Sequence, residues 1–225
     1  MLIPRYYFAH DYEQLHDYFL AHPHKKRTIH KGEYLWKPGE FIQHVYYIES
    51  GICVLNTEHE NGYQKILYFY STGAVAPGFH ETTFKIEKSI TLKAITEMQV
   101  LEFSRKDIYH MFQKNKEFST IAFEAYAKLI NLLIYETAHQ EYNNSFIKLC
   151  NLLYLFSCNS LNGTPERIEL SQENIADILT INRTNAAKGL SRLRDERIII
   201  SHRNWIELIA PEALKQYCSN ETLLP

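Results

Sequence analysis

The sequence contains no long apolar segment. Of its 225 residues, 45% are hydrophobic and 22% are charged, and no uninterrupted apolar stretch approaches the roughly 18 residues that a membrane-spanning helix requires. The first residues, MLIPRYYFAHDYEQ, also lack an apolar stretch long enough for a secretory signal. We therefore expect a cytoplasmic protein that has no membrane partner.

A large excess of either charge is missing too. The 24 lysine and arginine residues are nearly balanced by 26 aspartate and glutamate residues, which gives a formal net charge of −2. This balance argues against a protein that coats nucleic acid through its bulk charge, although a small basic surface can exist within such an average. Charge therefore has to be considered segment by segment.

Cysteine is scarce, and its spacing matches no metal motif. The sequence has no C-x-x-C pair, whereas zinc and iron–sulfur sites usually need several thiolates with at least one close pair. We interpret the cysteines as buried or inert thiols, with a redox or regulatory role as the alternative. They are Cys53, Cys150, Cys158 and Cys218.

Glycine and proline are absent from residues 79–162, whereas six of the eight glycines lie between residues 32 and 78. In that glycine-rich part, short segments rich in β-branched and aromatic residues predict strands separated by turns. Asn61-Gly62 predicts a hairpin, and Pro38-Gly39 predicts a turn. The first hundred residues should form a β-roll after a short helix around Asp11–Leu20. The predicted strands are EYLW, HVYYIES, GICVLNT, QKILYFY, SITLKAI and QVLEFS.

After Arg105 the apolar pattern becomes helical. Apolar residues recur at alternating steps of four and three, which is the spacing of a coiled-coil seam, and a second stripe that includes Phe123 and Ile130 lies on another face. A helix with two apolar faces must bury both. Either it is buried within its own domain, or one face covers the roll and the other meets a partner subunit. The seam residues are Phe118, Ala122, Ala125, Leu129, Leu132 and Glu136.

The C-terminal third predicts a compact helical domain. Asn143-Asn144-Ser145 is suited to a hinge and helix start, the helix FIKLCNLLYLFSC follows, and a turn is expected over residues 162–165. The segment LSQENIADILTINRTNAAKGLSRLRDER predicts two short helices joined by a tight turn, a helix-turn-helix. Ala186 and Ala187 would allow close packing, and two strands around His202-Arg203-Asn204 predict a wing.

The second helix of this motif concentrates positive charge. From Asn182 to Arg194 there are four cations and no acid. Arginine at the start of a recognition helix can pair with guanine and asparagine with adenine, whereas other cations contact phosphates. A merely solvated basic face is the alternative. The predicted DNA-binding residues are Ser171, Asn182, Arg183, Thr184, Asn185, Lys188, Arg192 and Arg203.

This segment resembles the helix-turn-helix of the Crp/Fnr family of bacterial regulators, and KGEYLWKPGE, VYYIESG and NGYQKILYFYSTG resemble the family's β-roll. The resemblance covers nearly the whole chain. It implies an α+β fold with a double-stranded β-helix (jelly-roll) domain like those that bind cyclic nucleotides at 1–106, a long dimerisation helix at 107–143, and a winged helix-turn-helix at 144–225. It also implies a non-enzymatic homodimer on a near-palindromic double-stranded DNA site, with RNA polymerase as a further partner.

The chain departs from the family pattern in two places. Thr184 follows the recognition arginine where many members carry glutamate. In the roll, Pro77-Gly78 and Lys88-Ser89 stand where members that bind cyclic nucleotides have Gly-Glu and Arg-Ser. We therefore expect a small-molecule or redox signal other than cyclic AMP, as in the halorespiration and virulence regulators, with a small organic anion as the hypothesis and no bound cofactor. The expected effector pocket comprises Gly78, Phe79, His80, Lys88, Ser89, Tyr126 and Leu133.

Two rival interpretations remain open. A β-roll with eleven histidines could belong to a cupin-like metal-dependent enzyme or sensor, which holds its metal through clustered histidines. The single H-x-H motif, His22-Pro23-His24, precedes the roll, so we expect neither a metal site nor catalytic residues. The second rival is a regulator that acts through a protein partner and keeps only a vestigial DNA-binding head.

Overall fold

The computed structural model describes residues 2–158 and 167–224. Contacts divide the chain into two compact units. Residues 7–127 form one, and residues up to Tyr6 together with those from Lys128 onward form the other. The boundary between the units, at residues 127 and 128, falls within the helix that spans Lys116–Tyr142. The predicted domain boundaries, at residues 106 and 143, were placed at the two ends of a predicted helix.

Residues 7–127 form the predicted β-roll. Its strands are β1 (Tyr7–Phe8), β2 (Lys25–Ile29), β3 (Tyr34–Trp36), β4 (His44–Ser50), β5 (Cys53–Glu58), β6 (Gln64–Tyr70), β7 (Val75–Ala76), β8 (Ile90–Ala94) and β9 (Met98–Ser104). One sheet has the order β1-β6-β5-β8-β3 and the other the order β2-β9-β4-β7. The β5–β6 hairpin turns at Asn61-Gly62, as expected, and pairs Glu58 with Gln64.

A cluster of aromatic rings forms the core of this unit. Phe19, which is fully buried, stacks on Tyr47 with 4.6 Å between ring centroids. Its ring also lies 5.8 Å from Phe103 and 5.4 Å from Phe118. Such pairs each contribute about 0.5–1.5 kcal/mol beyond the burial of area, so the cluster ties together both the strands and the helices of the roll.

Three helices accompany the roll: α1 (His16–Leu20), α2 (Arg105–Lys114) and α3 (Lys116–Tyr142). The single helix predicted over residues 107–143 is wrong, because the chain leaves helical geometry at Asn115, where φ is −117° and ψ is 109°. The Asn115 side chain accepts a hydrogen bond of 3.0 Å from the backbone N–H of Phe118. Asparagine in this position satisfies a free N–H of a helix and favours a new start.

Most of the predicted seam of α3 lies inside the chain. Phe118, Ala122 and Leu132 are 0% exposed and Glu136 is 8% exposed. Phe118 belongs to the aromatic core, with its ring 5.9 Å from that of Tyr12. A partner helix could not reach these side chains in this conformation. The two remaining members, Ala125 and Leu129, are half-buried.

The outward face of α3 carries a different apolar stripe. Phe123 is 72% exposed, Ile130 is 56% exposed and Ile134 is 65% exposed. With the exposed Ala127, these residues follow the same alternation of four and three steps as the predicted seam. The heptad spacing was therefore present twice, and only the packing of the chain shows which series is outside.

The second unit combines the end of α3 with a helical domain. Its further elements are α4 (Ser145–Cys158), β10 (Arg167–Ile168), α5 (Gln172–Leu179), α6 (Arg183–Asp195), β11 (Ile199–Ser201), β12 (Ile206–Leu208) and α7 (Pro211–Lys215). β11 and β12 form the predicted wing hairpin, and β10, which was not predicted, pairs with β12. The turn expected over residues 162–165 lies outside the described residues.

The start of α4 and the N-terminal segment complete this unit. The Asn144 side chain accepts 3.0 Å hydrogen bonds from the N–H groups of Phe146 and Ile147, which confirms the predicted helix start. Tyr6 donates its hydroxyl proton to the buried Glu136 carboxylate and stacks 5.4 Å from Phe156. Residues 2–6, which the sequence assigned to the first domain, therefore pack here.

The cysteines are all reduced, and their environments differ. Cys53 and Cys150 are buried, and burial raises the pKa of both thiols. Cys218 is half-buried, and desolvation raises the pKa of its thiol to about 12. Cys158 is exposed, so at this position the expectation of a buried or inert thiol holds only if the thiol is inert. The raised thiol pKa values disfavour the reactive thiolate at Cys53, Cys150 and Cys218.

The two glycines Gly51 and Gly62 offer a test of the roll. Both have positive φ, +93° and +80°, which costs an alanine about 1–2 kcal/mol. At Gly51 a Cβ would lie 2.8 Å from the Met98 Cα, whereas among the described residues no atom lies within 4 Å of a Cβ at Gly62. Gly51→Ala should lower the free energy of unfolding by roughly 3 kcal/mol or more and Gly62→Ala by less than half as much, measured by urea denaturation. Equal effects would contradict the close approach at Gly51.

Candidate nucleic-acid interface

The interface begins with two capped helices joined by a short turn. Ser171 and Asn174 form a reciprocal capping box at the start of α5. α5 ends at Leu179 and is followed by the cap residue Thr180, whose φ of 52° is left-handed, a geometry for which glycine would carry no steric penalty. The Asn182 side chain then accepts a 2.7 Å hydrogen bond from the Asn185 N–H and starts α6. Both predicted caps are therefore present.

One face of α6 is buried against the rest of the unit. Ala186, Leu190 and Leu193 are 0% exposed. A close approach to α4 occurs at Gly189, where an added Cβ would lie 2.6 Å from the Cδ2 atom of Leu149. The sequence predicted that Ala186 and Ala187 would let α6 pack closely on α5; Ala186 is fully buried, whereas Ala187 is half-buried. Gly189, which the sequence did not single out, permits the contact with α4.

The opposite face of α6 is open. Arg183, Thr184, Asn185 and Lys188 are all exposed, so four of the predicted DNA-binding side chains are accessible along the first half of α6. The Arg183 guanidinium pairs with the Glu173 carboxylate of α5 across the turn. Sequence reasoning missed this acid, since Glu173 lies ten positions before Arg183 with no periodic signal, and only the turn brings the two side chains together.

Arg192 lies at the edge of this surface with several partners. Its guanidinium carbon is 4.1 Å from the centroid of the Phe146 ring and 4.9 Å from that of Tyr217. Its Nε donates a 2.9 Å hydrogen bond to Glu196. Cation–π contacts and an ion pair hold the side chain in place, so Arg192 links α4, α6 and the C-terminal segment as well as contributing positive charge.

A surface cleft of about 390 Å³ lies beside the open face of α6. It combines the first residues of α4 with cationic and amide side chains of α6. A helix start together with lysine and arginine is favourable for anions such as phosphate. The lining residues are Asn144, Ser145, Phe146, Asn185, Lys188, Gly189 and Arg192.

The wing carries Arg203 at its turn, where the side chain is exposed. The neighbouring His202 ring stacks on Trp205 with 3.7 Å between centroids and 9° between planes. The guanidinium of Arg167, which lies on β10, is 4.5 Å from the centroid of the Trp205 ring. These stacked side chains stiffen the short hairpin that presents Arg203.

A buried polar network supports the domain behind α6. The Ser219 N–H donates a 3.0 Å hydrogen bond to Oδ1 of Asn151, which fixes the orientation of that amide. Its Nδ2 therefore donates to Ser219 Oγ at 2.8 Å and to His139 Nδ1 at 3.1 Å. Asn143 also contacts His139 Nδ1. His139 must accept at Nδ1, so the network requires the neutral ring with its proton on Nε2.

The expected effector residues of the roll are held by the chain itself. The Tyr126 hydroxyl donates to the carbonyl of Phe79 at 2.6 Å and accepts from its N–H at 2.7 Å. Burial raises the pKa of Tyr126 to about 12. A Cβ at Gly78 would lie 3.1 Å from Cε1 of the same tyrosine. Gly78, Phe79 and Tyr126 are thus brought together as predicted.

The segment from His80 to Glu87 is held by contacts at both ends. Glu87, which is 2% exposed, lies 3.3 Å from His80 Nε2 and accepts from the Phe84 N–H at 2.8 Å. Arg105 donates to the carbonyl of His80 at 2.7 Å. Lys88 is exposed and lies 5.0 Å from the Phe41 centroid. Of the two remaining members, Ser89 is half-buried in the roll, and Leu133 belongs to the other unit.

Two family models match the chain over the regions just described. The cyclic nucleotide-binding domain model matches residues 26–115, and the Crp-like helix-turn-helix domain model matches residues 147–217. Together they cover more than two thirds of the chain. The chain belongs to the Crp/Fnr family. As a Crp/Fnr regulator it is a DNA-binding transcription regulator, which accounts for the open, basic face of α6.

Solved Crp/Fnr structures share the fold across nearly the full length. CprK complexed with OCPA is 20% identical with a TM-score of 0.69, covering 89% of this chain and 93% of that chain. FixK2 from Bradyrhizobium japonicum is 15% identical with a TM-score of 0.74, covering 88% and 98%. The c-di-GMP responsive regulator CLP of Xanthomonas campestris is 16% identical with a TM-score of 0.69, covering 87% and 98%. No curated protein matches the sequence.

Within the described residues, no group of three or more histidine, cysteine, aspartate or glutamate side chains is arranged to hold a metal ion. None of the helices in residues 2–158 and 167–224 combines the length and apolar character needed to cross a membrane. Crp/Fnr proteins are in general regulators rather than enzymes.

The His139 network should make the helical unit sensitive to acid. Burial lowers the pKa of His139 from its ordinary value near 6.5, partly opposed by Glu221 and Glu136 and reinforced by Lys148. Below that ordinary value the unfolded chain binds more protons than the folded one, so the stabilisation is complete above it and is lost as pH falls. Amides of α4 should exchange with deuterium faster relative to their intrinsic rates at pH 5.5 than at pH 7.5.

The matched variants are His139→Gln and His110→Gln, the second at an exposed position of α2. His139→Gln should reduce the pH dependence of protection in α4, since it removes the titrating group, whereas His110→Gln should leave it unchanged. Identical pH dependence in wild type and His139→Gln would contradict the role of this ring.

Proposed function

We propose that the chain acts as a homodimer that reads a near-palindromic DNA site through α6 of each subunit, under the control of a signal other than cyclic AMP. The observation that carries this proposal is the exposed first turn of α6, with Arg183, Thr184 and Asn185 outside while Ala186 and Leu190 are buried. A recognition helix enters the major groove by its N-terminal residues. RNA polymerase remains a predicted further partner.

The side chains of this surface divide into two roles. Arg183 and Asn185 at the start of α6 would read base edges, since arginine matches guanine and asparagine matches adenine. Lys188 and Arg192 line the cleft of about 390 Å³ beside the start of α4, where a backbone phosphate would lie. Arg203 would add a phosphate contact from the wing. Ser171, Asn182 and Thr184 would complete the interface around the turn.

Arg183→Ala and Lys188→Ala should separate the two roles. Loss of a base contact should cost about 1–3 kcal/mol at one base position of each half-site. Loss of a phosphate contact should weaken binding to all sequences and reduce the slope of log affinity against log salt by about 1. Both follow from titrations of an operator duplex, obtained by selection from random DNA, at several salt concentrations.

Lys215→Ala provides the control, because it removes a cation of α7 that pairs with Glu212 of the same helix. Its affinity and salt slope should match those of the wild type. A wild-type protein that enriches no sequence, or an Arg183→Ala variant with unchanged base preference, would favour a regulator that acts through a protein partner.

The exposed stripe of α3 supports dimerisation. Phe123, Ala127, Ile130 and Ile134 present apolar surface at coiled-coil spacing, and contiguous exposed apolar surface marks interaction sites. Two copies of this helix packed side by side would bury the stripe and place one α6 in each half of the complex. The dimer seam is thus proposed for this series rather than for the buried residues predicted from the sequence.

Ile130→Glu should weaken the dimer at least about tenfold, because it places a carboxylate in an apolar seam. Ile130 is 56% exposed in the single chain, so folding should be retained. Asn131→Glu, at the next and also exposed position, is the matched control. Sedimentation equilibrium over a range of concentrations measures both, and an unchanged dimer in Ile130→Glu would place the interface elsewhere.

The signal is proposed to act on the roll. CprK has been described in complex with OCPA and CLP as responsive to c-di-GMP, so relatives of this fold respond to different small molecules. Here Gly78 offers no carboxylate to a ribose, and the exposed Lys88 lies over Phe41. Unpaired polar groups of a bound ligand would each cost about 1–3 kcal/mol. A small organic anion is the proposed class of effector.

Isothermal titration with cyclic AMP should show no binding in the micromolar range. The variant Gly78→Glu introduces a carboxylate at this position. It shows how much the carboxylate alone contributes to binding of cyclic AMP. It is also a test of packing, since a side chain there meets Tyr126. Micromolar binding by the wild type would overturn the exclusion of cyclic AMP.

A further inference from the structure

The Arg183 side chain is not free in this structure but faces two acids on α5. Its guanidinium pairs with Glu173, and both side chains are well exposed, at 72% and 60%. Glu173 is the second residue of α5 and lies within the capping box formed by Ser171 and Asn174. The helix start is therefore well defined, and it holds Glu173 opposite the first residue of α6.

The second acid, Asp177, follows one helical turn later. Like charges four residues apart on a helix repel and destabilise it slightly. Desolvation and the nearby Glu173 raise the pKa of Asp177, while Arg183 lowers it, so all three charges lie within one another's field. The cation within this field is Arg183, the first residue of α6.

Stability does not account for this arrangement. An ion pair between exposed side chains contributes very little to folding, and an acid beside a DNA-binding helix is repelled by phosphates. A positioning role does account for it. A guanidinium has five N–H donors, of which a bidentate contact with guanine uses two. A carboxylate that accepts from the remaining donors fixes the plane of the guanidinium before DNA arrives.

We propose that Glu173 is a specificity-determining positioning residue, which orients the Arg183 guanidinium for one base and disfavours unspecific DNA by its charge. This inference rests on the proposed function, in which Arg183 reads a base edge.

The test compares base selectivity in the full-length wild type, Glu173→Gln, Arg183→Ala and Glu212→Gln. Glu212 is an exposed acid paired with Lys215, so its change matches the loss of one surface charge. Selection from random duplex DNA first defines the operator of the wild type. Affinities are then measured for that operator and for a random duplex. They are also measured for operators that carry each of the four bases at the position where Arg183→Ala loses its preference.

Glu173→Gln should reduce discrimination at the Arg183-dependent base at least about threefold and should bind the random duplex more tightly than the wild type. Its melting temperature and that of Glu212→Gln should match the wild type, and Glu212→Gln should keep full discrimination. This combination is not expected from a merely structural pair, which would change the melting temperature and leave base preference intact.

Two failures can be told apart. If Arg183→Ala loses the base preference while Glu173→Gln retains it, the positioning role of Glu173 is overturned and base recognition by Arg183 stands. If the wild type enriches no sequence, or Arg183→Ala keeps the preference, the proposed function fails and the inference fails with it.

Discussion

The close approach of α6 to α4 is the constraint on which the DNA-binding unit depends. Gly189 has no side chain where a Cβ would lie 2.6 Å from Leu149, and Ala186 beside it is fully buried. Because one face of α6 rests on this contact, the first turn of the helix projects outward. The stacking of Arg192 on Phe146 of α4 depends on the same position of α6.

A second constraint concerns α3, which has several tasks along one helix. Phe118 fills the aromatic core of the roll, and Tyr126 holds the backbone of Phe79 through two hydrogen bonds. Ile130 and Ile134 then present apolar surface outward. A ligand that displaced Tyr126 from Phe79 would act directly on the helix that carries the proposed dimer stripe, and a bias between two such arrangements is the physical basis of a switch.

Local signals predicted much of the fold. β4 and β6 have the bounds expected from their aromatic and β-branched segments, and Asn61-Gly62 forms its hairpin. Caps at Ser171 and Asn182 located α5 and α6, since capping depends on neighbouring residues only. β1, β2, β7 and β10 were missed, because each is a short or polar strand at the edge of a sheet whose partner lies far away in sequence and leaves no local pattern.

The sequence alone determined the class of fold, the helix-turn-helix and the basic first turn of α6, because periodicity, capping and charge are properties of adjacent residues. Tertiary structure decided which of two heptad series on α3 is buried, that Gly189 is the point of close packing, and that Glu173 meets Arg183. Each of these depends on contacts between elements distant along the chain. Two series with the same spacing are equivalent until the rest of the molecule covers one of them.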